Sequence, residues 1–348
     1  MTTKSLILTS LLILPATLPA CDLCGCALVT HHDRLPQVGF YTGVNEQFTR
    51  YTTLQEDGHA IDNDARQKLD SSITQIFLGY NVTPRFGVQV NVPFIRRVFR
   101  RPEETGIDSG SVGGVGDVSL LANWLPLFHQ TNEITFSLKL TGGLKFPTGD
   151  SDRVKEEGAE GHEHGAAEEP GAHHEEGEAH EGHNPAEEES GEGADDHSTD
   201  SGIHGHDLAL GTGSVDGIVG GGIYVRWKSV FFSGDVQYAI RGDGKHDYDF
   251  ANDFLWSGGP GIYLIDRATH RVAVQFVCTG ETKGEDEFRG TRSDDTSATT
   301  VFLGPKIGAS WHDRLTADVE LDIPVSRENS GVQIMPDYRL RATISWSF

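Results

Sequence analysis

From Tyr338 to Phe348 the chain alternates without an error. Tyr338, Leu340, Ala342, Ile344, Trp346 and Phe348 interleave with Arg339, Arg341, Thr343, Ser345 and Ser347. Two more segments repeat the pattern: Leu315, Ala317, Val319, Leu321 and Ile323 against Thr316, Asp318, Glu320 and Asp322; and Ile134, Phe136, Leu138 and Leu140 against Thr135, Ser137, Lys139 and Thr141. Successive side chains of a strand point to opposite faces, so period two predicts strands with one apolar and one polar face. A soluble β-sandwich also alternates. Here the strands run to about ten residues or more, the length a tilted strand needs to cross a bilayer. The second face is polar and often charged, which suits a wet lumen and would ruin a sandwich core. Aromatic residues gather near strand ends, as in interfacial girdles: Phe94 and Phe99, Trp124 and Phe128, Tyr224 and Trp227, Trp346 and Phe348.

The pattern predicts twelve strands with cores at 37–50, 69–82, 86–99, 115–127, 132–146, 215–227, 230–241, 249–265, 270–282, 298–311, 314–326 and 333–348. Tight connections at 81–85, 128–132, 227–230, 265–269 and 311–314 then alternate with mostly longer ones at 51–68, 100–114, 147–214, 242–248, 283–297 and 327–332. Short turns on one side and long loops on the other are how outer-membrane barrels are built, and an even count places both termini on the short-turn, periplasmic side. The fold class expected is therefore all-β: an antiparallel transmembrane barrel of about twelve strands spanning 37–348. Gly258-Gly259-Pro260-Gly261 interrupts the eighth strand and marks a bulge or kink there.

The N-terminus adds a destination. Lys4, the apolar stretch Leu6 to Ala20 and a small residue before Cys21 read as a secretory signal peptide over 1–20. Leu18-Pro19-Ala20-Cys21 fits simple cleavage after Ala20 or a lipobox, with Pro19 departing from the latter. The segment 21–36 that follows is expected to be periplasmic and carries Cys21, Cys24 and Cys26, which suit a soft metal ion or, in an oxidising compartment, a disulfide. Gly25 stands where c-type haem attachment needs a histidine. Cys278 falls in phase with Val272, Val274 and Phe276 and reads as a small hydrophobe.

Charge is concentrated rather than spread. Of the formal −24, −18 falls between Asp150 and Asp207, which hold twenty Asp and Glu against Arg153 and Lys155. So acidic a chain repels nucleic acid, whose binding requires phosphate neutralisation. Within this acidic insert, bounded at 151–207, residues 156–206 are built from Glu, Gly, Ala and His and are expected to be disordered, since they bury too little apolar surface to offset ordering entropy. The segment holds His162, His164, His173, His174, His180, His183, His197, His204 and His206, nine of the sixteen histidines. Imidazoles beside carboxylates at x-spacings of one or two suit zinc, copper or nickel, and a solvated acidic brush is the alternative. By the loop alternation the insert lies outside the cell. No cofactor is required by anything in the pattern.

Enzyme signatures are absent: there is no Gly-x-Ser-x-Gly, no His-Glu-x-x-His and no phosphate loop. Nor does any of His59, His129, His246, His270 or His312 begin the His-x-Ser-Asn-Gly stretch of the outer-membrane phospholipase. Two motifs stand out instead, Gly113-Gly114-Val115-Gly116-Asp117-Val118-Ser119-Leu120 leading into Asn123-Trp124-Leu125, and Gly143-Leu144-Lys145-Phe146-Pro147-Thr148-Gly149-Asp150. With Phe86-Gly87-Val88 and Val92-Pro93-Phe94, they resemble the outer-membrane transporter family named for the meta-pathway of phenol degradation, over about residues 75–150. The resemblance implies a barrel passing hydrophobic or aromatic compounds; the cysteine cluster and His-rich insert depart from it. Likeness to outer-membrane proteins in general implies that Phe348, with the alternation behind it, is read by the barrel-assembly machinery. The bland reading of both motifs is turn chemistry, with Asp117 facing the lumen or capping a turn.

The functional expectation is an outer-membrane channel or transporter for small solutes or metal ions. Lys139, Asp318, Glu320, Asp322, Arg339 and Arg341 face its lumen, and its surface loop gathers divalent metals. Uptake of hydrophobic aromatics, and a metal-binding surface protein using the barrel only as an anchor, are the rivals.

Overall fold

The computed structural model describes residues 36–103, 106–157 and 201–348. The signal peptide, Cys21, Cys24, Cys26 and the histidines from His162 to His197 lie outside the described residues. Twelve strands form the wall: β1 Gly39–Glu56, β2 Lys68–Thr83, β3 Phe86–Glu103, β4 Val118–Gln130, β5 Ile134–Phe146, β6 Asp216–Trp227, β7 Val230–Ile240, β8 Asp253–Asp266, β9 His270–Lys283, β10 Ala298–Trp311, β11 Leu315–Asn329 and β12 Val332–Ser347. Each pairs antiparallel with its sequence neighbour, and β12 closes on β1 with Val44 opposite Ile344 and Tyr41 opposite Ser347. Closure leaves no edge to satisfy in lipid. The Phe348 amide donates to the Phe40 carbonyl at 2.9 Å, so the terminal residue is part of the seam.

The predicted faces are the observed ones. Leu78, Leu140, Val219, Phe276, Leu340 and Ile344 are exposed on the outside, while Gln75, Thr135, Ser137, Asp235 and Arg339 are buried within. Trp124, Trp227, Trp311, Trp346 and Phe348 rim the short-turn end and are exposed. Phe99 and Tyr224 correct the expected girdle: each is 3% exposed and faces inward. Both sit near strand ends, where an aromatic ring fits the rim or the lumen equally well in a short pattern.

Two further differences concern the long-loop end. Most of the stretch 100–114, expected as loop, continues the β3 hairpin, for Gly106–Val115 pairs with Phe94–Glu103. Its residues are exposed or half-buried above the wall, so no apolar face is required and the sequence shows no alternation. The eighth strand begins at Asp253 instead of 249; Tyr248–Asp249 joins Glu287–Phe288 and Thr291–Arg292 in a small sheet over the mouth. The glycine run leaves β8 continuous against β7 from Asp253 to Ile262, but its pairing with β9 skips Gly259 and Pro260, and a bulge follows at Tyr263–Ile265. A Cβ at Gly261 would stand 2.2 Å from the Phe231 ring, so the glycine makes room for an inward aromatic.

Candidate functional site

The long-loop half of the lumen is filled by the chain itself. After the segment 158–200 the backbone turns inward at Ser201, makes one helical turn at Gly205–Leu208, and climbs out into β6 at Asp216. This corrects the expectation of disorder up to position 206: Ile203 and Leu208 are fully buried, and Ala209 and His206 nearly so. Ile203 and Leu208 pack on the inward residues Leu69, Phe99 and Ile334, and Leu210 packs on Ile73 and Ile95. Ala209 meets Val154, Tyr248 and Phe250. Burying each such aliphatic contributes about 1.5–3 kcal/mol, so these contacts hold the segment as a plug.

Polar anchors fix its position. Arg97 Nη1 donates to the carbonyls of Asp207 and Ala209, the latter at 2.7 Å. Arg101 reaches the Ile203 carbonyl at 3.3 Å and Glu156 at 2.8 Å. At the plug's entry, Gly202 donates to Gln67 Oε1 and accepts from the Ile334 amide, both at 2.8 Å. At its exit stands Asp117. One carboxylate oxygen accepts from the Gly149 amide at 2.9 Å; the other accepts from the Thr212 amide at 2.8 Å and its hydroxyl at 3.1 Å. Lys145 Nζ bridges Asp117 at 3.2 Å and Asp216 at 2.8 Å. The two glycine-rich motifs of the sequence therefore meet at the plug's base. A Cβ at Gly149 would lie 2.4 Å from the Leu210 carbonyl oxygen and one at Gly211 would lie 2.4 Å from Asp117 Oδ1, so the close approach requires glycine at both positions.

Below the plug the six lumen residues named from sequence all face inward. Arg341 bonds Glu320 and Asp322, each at 2.6 Å. Lys306, which sequence reading missed, pairs with Asp318 at 3.0 Å and Glu320 at 3.4 Å. Arg339 lies opposite Asp322 in register, yet its guanidinium spans to Glu281 on β9, with one contact at 2.7 Å, and stacks 4.4 Å over Phe302. Lys139 borders a cavity of about 240 Å³ at the short-turn end with Tyr41, Gln89 and Asn123. Alternation shows that a residue faces inward; which strand supplies its partner depends on barrel curvature, so Glu281 and Lys306 carried no separate signal.

Two predicted histidines are placed on the plug. His204, His206 and Asp207 bring one donor atom each to within 4.8 Å of one another. His206 Nδ1 lies 2.9 Å from Glu157 Oε1, and His204 Nε2 lies 3.4 Å from Asp295 Oδ2. Burial alone would lower the His206 pKa, but Asp207 and Glu157 outweigh it and raise it to about 9. Glu157 runs the other way: burial raises it, and His206 pulls it down to about 2. Without a metal the pair therefore stays ionised across the neutral range, and an ion ligated by His206 must displace its proton. Nearby, burial and then the Asp286 charge push the Tyr248 phenol upward, so it remains a donor to Asp286 at 2.5 Å.

A closed twelve-stranded barrel with an apolar outer belt, aromatic rim and polar lumen is a transmembrane β-barrel of the outer-membrane type. Among solved structures the fold is similar to an outer membrane channel from Pseudomonas putida F1, at 17% identity and a TM-score of 0.54, covering 92% of this chain and 99% of that one. The β domain of the Bordetella autotransporter BrkA shares 9% identity, covering 90% and 100% of the two chains, with a TM-score of 0.41. The transport unit of the Escherichia coli autotransporter AIDA-I shares 8%, covering 94% and 95%, with a TM-score of 0.43. No family model matches the sequence, and no curated protein matches it. The likeness establishes the fold.

Proposed function

We propose that the protein is an outer-membrane channel for small polar or ionic solutes, gated at its outer mouth by the plug 201–215, with the preceding His-rich segment gathering divalent transition metals. The observation that carries the channel reading is the lumen: Lys306, Arg341, Asp318 and Glu320 stand together on its wall, bordering a cavity of about 170 Å³, with Asp322 beside them on Arg341. Rings of fixed charge select ions and small polar solutes. A path for hydrophobic aromatics would call for an apolar lining, and this wall is charged. Support for metal gathering comes from the chain's continuity, because the segment that holds seven histidines leads directly into the plug that holds His204 and His206.

Purified protein in planar bilayers tests this. The native chain is expected to open rarely, and a plug-released variant steadily; if neither conducts, the barrel is an anchor and the channel reading is lost. In the released variant, Glu320→Gln with Asp322→Asn removes both counter-charges of Arg341 and leaves Lys306 with Asp318 alone. Its reversal potential in a potassium chloride gradient should move toward anion preference by tens of millivolts. Replacing the histidines at 162, 164, 173, 174, 180, 183 and 197 by glutamine should remove most zinc taken up by the intact surface; unchanged uptake removes the role given to that segment.

A further inference from the structure

We propose that the plug carries a discrete site for one divalent transition-metal ion, built from His204, His206 and Asp207 with Glu157 as a fourth ligand. The site deepens the metal-gathering reading and rests on it for the identity of the ion.

The donor set comes first. Two imidazoles and a carboxylate on one helical turn lie within 4.8 Å of each other, and Glu157 Oε1 is 2.9 Å from His206 Nδ1. Two nitrogens and two carboxylate oxygens are a set that zinc accepts. Zinc bond lengths of about 2.0–2.1 Å put tetrahedral donors roughly 3.4 Å apart, so donors at the 4.8 Å limit must close by about 1.4 Å. Rotation of the carboxylates and rings about their own side-chain bonds covers that distance.

His204 supplies an independent observation. Its side chain is 9% exposed and its Nδ1 is buried with no hydrogen-bond partner, although the Nε2 side faces Asp295. A buried ring nitrogen without a partner is costly unless something completes it. A metal ion at Nδ1 would do so.

The surroundings favour a cation and hold the ligands in place. Glu157, Asp207 and Asp295 supply three carboxylates around the two rings, and Lys283 on the facing wall is engaged by Asp286. The rings stack at 5.5 Å between centroids, and His206 stacks in turn on Tyr248 at 6.1 Å. Orientation by a second layer of this kind is what metal-binding imidazoles require. His206 and Asp207 also border a cavity of about 80 Å³ shared with Glu281 and Arg339, room for an ion to arrive with water.

Zinc equilibrium dialysis on the purified full chain, with cobalt(II) absorption as a geometry probe, tests the proposal. Four variants are needed: the seven loop histidines changed to glutamine, His204→Gln with His206→Gln, both sets together, and Asp207→Asn added to the first. All should retain the heat-dependent gel mobility of a folded barrel, because none of the changes lies in the wall. The loop variant is expected to keep one tight zinc and a tetrahedral cobalt spectrum, and the combined variant to lose both. Asp207→Asn in the loop variant should weaken zinc at least tenfold. If the loop variant binds none while the native chain binds several, the plug site is overturned and loop capture stands. If the combined variant still binds one tight ion, the ligand assignment is overturned. If the native chain binds none, both readings fall.

Discussion

Asp117→Ala is expected to undock the plug and turn a mostly closed barrel into an open channel. The carboxylate accepts from Gly149 and twice from Thr212, and it neutralises one side of Lys145. Asp117 is 5% exposed and Lys145 is 2% exposed, so water cannot replace what is lost. Three hydrogen bonds to a buried carboxylate are lost and Lys145 is left with Asp216 alone, which together costs about 3–5 kcal/mol. At about 1.4 kcal/mol per tenfold, that moves the docking equilibrium by roughly two to three and a half orders of magnitude. Arg97 and the packing of Ile203 and Leu208 oppose release, so the plug should become dynamic without the wall unfolding. A nitroxide placed at Ser201 reports plug mobility by electron paramagnetic resonance, and bilayer recording reports conductance. Raised mobility with unchanged conductance would show that the plug is not the gate. Asp117→Asn keeps a carbonyl acceptor and should release less.

The second large effect lies in the wall. Arg339→Ala should destabilise the barrel by about 3–5 kcal/mol, because it leaves the buried Glu281 carboxylate without its guanidinium. Arg339 is 1% exposed, joins Glu281 and Thr49, and covers Phe302. Arg339→Met with Glu281→Met removes both charges and should recover most of the loss, since apolar replacement of a buried pair is often neutral. Urea unfolding in lipid, followed by the gel shift of the folded barrel, measures both. Equal damage from the single and double variants would mean that the packing of the arginine, and not its charge, supports the wall.

Metal removal gives a contrasting expectation: a chelator should alter the plug and leave the wall intact. Every ligand proposed lies between β5 and β6, outside the strands that close the barrel.

Alternation carried the barrel because its physical cause is local. A residue in a spanning strand faces lipid or lumen according to its parity alone, so Leu340 and Arg341 announce their faces without reference to any other strand. Parity says less at the ends. Phe99 and Tyr224 read as rim residues yet lie inside, and 106–114 reads as loop because a strand standing above the membrane has no apolar face to show.

Histidine content was legible, but composition could not show that two of nine histidines end in a folded turn. Ile203, Leu208, Ala209 and Leu210 are few apolar residues beside a long acidic run, and the segment has no core of its own. Its core is the far wall: Leu69, Ile73, Ile95, Phe99 and Ile334, all more than 100 positions away in sequence. The sequence alone determined a twelve-stranded closed barrel, its two faces and the chemistry available along its loops. Only the tertiary structure decided that one loop turns inward, that Asp117 locks it between two glycine-rich turns, and that Arg339 reaches Glu281. Those contacts join residues distant in the chain, and a curved, closed wall brings them together where no local pattern can.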